Sequence, residues 1–397
     1  MTQESEPSIR GRVAVVGIGA TTYYKRGAAT SPEFVLGLEA ILNAVEDAGL
    51  SAGDLDGFSS FSNDRNEPVR FASALGLPEF KFSSMVWGGG GGGGSAAVAN
   101  AAAAVAAGYA NYVVVYRALA QGQFDRFGQA APVPTVSGHK KWMSPYGMFS
   151  PGQQYAMRVQ RFMHDHNIEQ DALKAIALTS YYHAQQNPRA VMHGRPLTAE
   201  KYDESRWIVE PFHLYDCCME NDGAAALIVT TPERAEKLKQ PPVYVLAACQ
   251  GSDYRQAAPA HNAPDYATSN FKTLAPRLYE TAGITPDDVD VAQVYENFTG
   301  GVLMSIVEHG LCAAEDVNDF FKTENFRAPD GKLPINTSGG NLAECYMHGL
   351  ELITEAVRQI RGSSTNQVRD AKVSLVVSGP MVQPVSNLVL ASERSVR

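Results

Sequence analysis

Residues 85–100 read MVWGGGGGGGSAAVAN: seven consecutive glycines, Gly88 to Gly94, open onto a helix made almost wholly of alanine. Glycine backbone feeding a helix N-terminus is an arrangement that holds anions, because unsatisfied N–H groups point outward there. The chemistry of such a loop depends on its neighbours. No Lys-Ser or Lys-Thr follows the run, as a phosphate-binding P-loop requires. GIGATT, residues 17–22, lacks the third small residue of the dinucleotide fingerprint, and no acidic residue closes the next strand. His164, Asp165 and His166 have the composition of a metal site without a third ligand, and read as a solvated helix start. Seven glycines lose a great deal of backbone entropy on folding, so something must approach this backbone too closely for side chains.

The elements that would position this loop follow a repeated pattern. VAVVGIGA (13–20), DLDGFSSFS (54–62) and YVVVYRA (112–118) read as buried strands. Between them lie a helix over 31–50, with Ser31 as N-cap, Pro32 in its first position and Gly49 as stop, and the alanine helix from Ser95 to about Ala107. The second half repeats the order. VYVLAAC (243–249) parallels the first strand, LYETAGITPDDVDVAQVY (278–295) the next helix and strand, and GLELITEAVRQI with KVSLVVSG the last pair. This predicts an α/β fold of two βαβαβ halves, 1–241 and 242–397, each with a parallel sheet. Roughly residues 119–208 of the first half form an inserted loop lobe with helices of its own.

Composition bounds the partners. The 397 residues are 45% hydrophobic with a formal net charge of −9, which argues against nucleic acid. No apolar run reaches the roughly 18 to 20 residues of a membrane span. The polar start, MTQESEPSIRGR, has no apolar signal core. Cys217, Cys218, Cys249, Cys312 and Cys345 form no CxxC pair, which indicates a cytoplasmic protein with reduced thiols.

Four stretches carry a family resemblance over the whole chain, in order: VEPFHLYDCCMENDGAAALIVTT (209–231), VYENFTG (294–300), NTSGGNLAECYMHGLELITEAV (336–357) and VVSGPM (376–381). The sequence resembles the thiolase superfamily, in its lipid-transfer branch related to sterol carrier protein X. The resemblance implies the duplicated thiolase fold, a five-layered αβαβα arrangement. It also shows what is missing. The family's nucleophilic Cys falls at Gly91, its Gly-His-Pro histidine at Tyr346, the Asn or His opening the third segment at Tyr295, and its second catalytic Cys at Val377.

Thiolysis and Claisen condensation need a thiolate to hold the acyl group. A retro-aldol cleavage needs only a base near a β-hydroxyl, donors for an enolate oxygen and an acid near Cα. The branch includes bacterial aldolases of steroid side-chain degradation, and the resemblance implies the same reaction here. A β-hydroxyacyl-CoA steroid would be cleaved to a ring ketone (androstenedione type) and propionyl-CoA, with coenzyme A present only as part of the substrate and no cofactor. Tyr295 and Tyr346 are the candidate catalytic residues; each taken singly would read as a core tyrosine. His348, Glu296, Asn297 and Cys345 are candidate supporting residues, although Glu296 or Asn297 also suits a helix cap. Backbone at Gly90, Gly91, Gly92, Gly339, Gly340 and Gly379 would line a cleft emptied of side chains for a bulky substrate. Cys217 and Cys218 read as small buried hydrophobes.

The implied partners are a second copy, because an alanine helix is too apolar to face solvent, and a hydratase subunit whose extra domain joins a zinc ribbon to an OB-fold. Two competing readings remain: a non-catalytic acyl-CoA or sterol binder or scaffold, and a residual thiolase using Cys345.

Overall fold

The computed structural model describes residues 8–62, 64–88, 90–124, 135–253 and 265–396. The first seven residues of the polar start, Gly89 of the glycine run and residues 125–134 of the expected lobe lie outside them.

The first half carries β1 (Ala14–Ala20), β2 (Tyr24–Lys25), β3 (Gly57–Phe61), β4 (Phe82–Val86), β5 (Val113–Ala120), β6 (Trp207–Val209), β7 (Phe212–His213) and β8 (Asn221–Thr230). Its helices are α1 (Glu33–Ala48), α2 (Pro68–Ala74), α3 (Gly94–Ala106), α4 (Pro151–His166), α5 (Asp171–Gln186), α6 (Ala199–Asp203) and α7 (Pro232–Ala235). The second half carries β9 (Val243–Gly251), β10 (Val291–Val294), β11 (Val373–Ser378) and β12 (Val385–Ala391). Its helices are α8 (Leu274–Ala282), α9 (Thr299–Glu308), α10 (Val317–Phe320), α11 (Thr323–Phe326) and α12 (Leu350–Arg361).

The strand order is β3-β5-β8-β1 in the first set and β10-β11-β12-β9 in the second, one pattern used twice. The sets join edge to edge where β1 pairs antiparallel with β9, Ala14 opposite Tyr244 and Val15 opposite Val243. The expected all-parallel sheets are mixed instead. β8 runs antiparallel to β5 and β1, and β12 antiparallel to β11 and β9. The β11–β12 connection, 379–384, is too short for a parallel crossover, which needs a dozen or more residues.

α1 covers the outer face of β1, β5 and β8, and α8 that of β9 and β12. α3 and α12 lie between the two sheet halves and touch strands of both, so the layers run αβαβα. The alanine helix is thereby explained. Ala96, Ala97, Ala101 and Ala102 are fully buried, and methyl side chains let α3 approach two sheets at once. Its apolar surface is covered inside one chain, so it gives no reason for a second copy.

Smaller corrections follow from local chemistry. α1 begins at Glu33 behind Pro32, with no side-chain cap from Ser31, while Gly49 closes it in the left-handed region (φ +73°). His164 and His166 end α4 instead of starting a helix. Among the described residues no cluster of His, Cys, Asp and Glu could hold a metal, and no helix is long and apolar enough to cross a membrane.

Candidate active site

β10 stops at Val294 and α9 begins at Thr299, which leaves Tyr295 to Phe298 as the connection. Segment 336–349 grips it. Asn336 donates Nδ2–H to the Val294 carbonyl at 2.9 Å and accepts the Val294 N–H at 2.7 Å; Asn341 Oδ1 accepts the Glu296 N–H at 2.7 Å. Two amide side chains thus satisfy backbone groups that a neighbouring strand would otherwise pair. On the other side Tyr295 N–H donates to the Val377 carbonyl, and Cys218 N–H to the Asn297 carbonyl, each at 3.0 Å. Tyr346 is fixed by its own N–H, which donates to Asn221 Oδ1 at 2.6 Å.

This scaffold brings the two tyrosines together. Tyr295 Oη lies 2.6 Å from Tyr346 Oη, and both rings are buried. Burial holds both phenols well above their usual range, so both are neutral at any physiological pH. A Cβ placed on Gly91 would collide with the Tyr295 ring. The ring therefore occupies the room that a side chain at 91 would need. The expected emptied cleft is filled here. Gly92 lies against the Pro384 carbonyl and the Val382 side chain, and Gly379 against Gly92 backbone, whereas Gly90 (φ +47°) faces open space. Gly339 packs on Ala184 and Gly340 on the Glu296 carboxyl, so these two make room for packing.

The supporting residues divide. His348 joins the pair: its ring meets Tyr346 edge-on at 5.1 Å between centroids. Glu296 turns its carboxyl away, accepting from Ser180 Oγ and from Asn341 N–H at 2.8 Å. Burial raises its pKa to about 7. Asn297 Oδ1 accepts the Phe298 N–H at 2.9 Å at the entrance to α9. Cys345 is displaced from its expected place beside the pair. Its buried thiol lies among Tyr23, Glu344, Glu351 and Arg358, and burial first, then the two carboxylates, raises its pKa. Cys218 takes that place: burial pushes its thiol up to about 12, and the adjacent Tyr346 hydroxyl pulls it back. The sequence reads Cys218 only as a small buried hydrophobe, although it stands within VEPFHLYDCCMENDGAAALIVTT, one of the four stretches that carry the resemblance. A cavity of about 540 Å³ beside Tyr23, lined also by Lys25, Glu39, Asn43 and Arg189, includes neither tyrosine of the pair.

Residues 253–391 match the family model described as thiolase C-terminal domain-like. The chain is 39% identical over 395 residues to a steroid side-chain-cleaving aldolase of Thermomonospora curvata, covering 97% of this chain and 99% of that protein. The chain belongs to the thiolase-like aldolase family. A second relative in it, the 17-hydroxy-3-oxo-4-pregnene-20-carboxyl-CoA lyase of Mycobacterium tuberculosis, is 39% identical over 96% of this chain and 100% of that protein. Among solved structures, the Ltp2-ChsH2(DUF35) aldolase superposes with a TM-score of 0.89 at 37% identity, over 98% of this chain and 100% of that one. For this thiolase-like aldolase, glycine at 91 and valine at 377 leave neither thiolase sulfur in place.

Proposed function

We propose that the chain cleaves the Cα–Cβ bond of a steroid acyl-CoA bearing a tertiary β-hydroxyl, giving a ring ketone and propionyl-CoA. The β-hydroxyl loses its proton and its oxygen becomes the ketone oxygen. The Cα–Cβ electron pair moves into the thioester as an enolate, which is protonated at Cα. Nothing is oxidised or reduced and no water enters, so the reaction needs no cofactor beyond the coenzyme A of the substrate.

The observation that carries this reading is the buried hydroxyl pair, Tyr295 and Tyr346, 2.6 Å apart. Because burial disfavours either phenolate, a tyrosine that waits as a charged base is costly here. A shuttle avoids that cost. One tyrosine accepts the hydroxyl proton as it passes its own to the other, which delivers to Cα. The names of the relatives support the substrate class.

The likeness to the solved Ltp2-ChsH2(DUF35) aldolase supports a partner with a DUF35 domain, which we assign to a hydratase subunit carrying a zinc ribbon and an OB-fold. A homodimer is supported by β4, an edge strand on which Met85 is 41% exposed, followed by Trp87 at 82%. We place the reaction in the cytoplasm, where the five free thiols would persist. The direct test is to mix the partnered protein with such a steroid acyl-CoA and follow both products by mass spectrometry. Ketone and propionyl-CoA in equal amounts are expected from the parent, and neither from Tyr295→Phe. A parent that binds the acyl-CoA without cleaving it would reduce the chain to a binder.

A further inference from the structure

We propose that His348 is held as the neutral Nε2–H tautomer by an Asp64–Arg117 pair, and that this N–H donates to the thioester oxygen as it becomes the enolate. The proposal rests on the retro-aldol reading above and adds the donor that reading requires.

The tautomer follows from the partner. His348 Nδ1 lies 3.0 Å from Arg117 Nη2, and both residues are buried. Guanidinium has donors only and does not lose its proton, so Nδ1 must accept and the ring proton must sit on Nε2. Arg117 is itself fixed. Its Nη1 donates to Asp64 at 2.9 Å and to the Phe61 carbonyl at 2.8 Å. Asp64 in turn accepts the Asn66 N–H at 2.8 Å and its side-chain amide at 2.9 Å. The chain Asp64–Arg117–His348 runs from the end of β3, through β5, into the segment that carries Tyr346. The backbone bends to allow it: His348 (φ +51°) and Ser62 (φ +58°) both adopt the left-handed region without being glycine.

The electrostatic sense suits an enolate. A carboxylate behind a histidine favours the imidazolium; a guanidinium behind it forbids that form and draws electron density from the ring. Among the described residues Arg117 and Arg65 are charged groups that face His348, with Asp64 beyond Arg117, and Tyr346 lies neutral beside it. Burial and both cations oppose a further positive charge, so the ring stays neutral while Nε2–H becomes a stronger donor toward developing negative charge.

The test joins a spectrum of the parent to two variants. In long-range ¹⁵N spectra of the histidine-labelled complex, assigned by loss of signals in His348→Gln, His348 should show an unprotonated Nδ1 and a protonated Nε2. Neither should titrate between about pH 5.5 and 8, the range in which an ordinary imidazole does. His348→Phe should lower kcat about 10²-fold with KM within a few-fold, and His348→Gln, which keeps a neutral N–H donor, should recover part of that loss. A protonated Nδ1, a ring that titrates, a His348→Phe rate within threefold of the parent, or a loss confined to KM overturns the proposal. Should His348→Phe not fold, the parent's tautomer and the Gln variant decide. A parent that yields no ketone defeats the retro-aldol reading itself, whatever the tautomer of His348.

Discussion

At the scale of single residues, Gly91 and Tyr295 form one unit. The glycine is required because the tyrosine ring fills its side-chain space. Gly91→Ala should therefore push the ring off Tyr346, destabilise the chain by about 1–3 kcal/mol as overpacking does, and abolish cleavage. Thermal unfolding together with the cleavage assay checks this; an active Gly91→Ala of parental stability would contradict it. With glycine at 91 and valine at 377 neither thiolase sulfur is present, and burial keeps the Cys218 thiol protonated, so intact mass after mixing with an acyl-CoA should show no covalent increment. The tyrosines were legible because each stands where the resemblance expects a reactive group. Cys218 was not, because its contact with Tyr346 joins segments far apart in sequence.

At the scale of elements, a connection with no regular structure of its own is held by side chains from the segment that wraps it. Glu296 is the titratable part of that hold. Its folded pKa, about 7, lies above the usual carboxylate value, so the folded state binds the proton more tightly. That contribution is fully present below about pH 4.3 and is lost as pH rises through about 7. Glu296→Gln keeps an acceptor for the Asn341 N–H, and its amide N–H can donate to Ser180 Oγ in a reversed hydrogen bond, while the titration is removed. Its melting temperature relative to the parent should therefore be more favourable at pH 8 than at pH 5; an offset equal at both pH values would contradict this. The helices α1, α3 and α12 and the all-apolar strands were readable from periodicity, whereas α4 was not, its last turn reading as a helix start. β4 and β12 were not, because FSSMV puts two adjacent serines on a half-exposed edge and VSNLVLA carries a buried Asn387, which pairs with His309 at 3.0 Å.

At the scale of the whole molecule, the duplication was visible in the repeated order of elements, and the shared strand order is its physical form. The direction of the last strand in each set was not visible, since alternation and burial do not record direction. The alanine helix pointed to a crowded centre, and the structure puts that centre inside the chain, between the sheet halves. The expected dimer now rests on the β4 edge. Sedimentation of the 42.8 kDa chain at micromolar concentration should show a dimer, and Met85→Lys should shift it toward monomer. A parent that is monomeric with or without its partner, or a Met85→Lys chain that dimerises as the parent does, would contradict that interface.

In the proposed mechanism a tyrosine hydroxyl, and no sulfur, moves the proton in carbon–carbon cleavage. Tyr346→Phe tests it most directly. The change removes one oxygen and keeps the ring, at a stability cost of about 1 kcal/mol for one lost hydrogen bond. In the folded, partnered protein the cleavage rate should fall by a factor of about 10² to 10⁴, while acyl-CoA binding stays within a few-fold of the parent. A Tyr346→Phe protein that releases ketone within a few-fold of the parental rate would contradict the account.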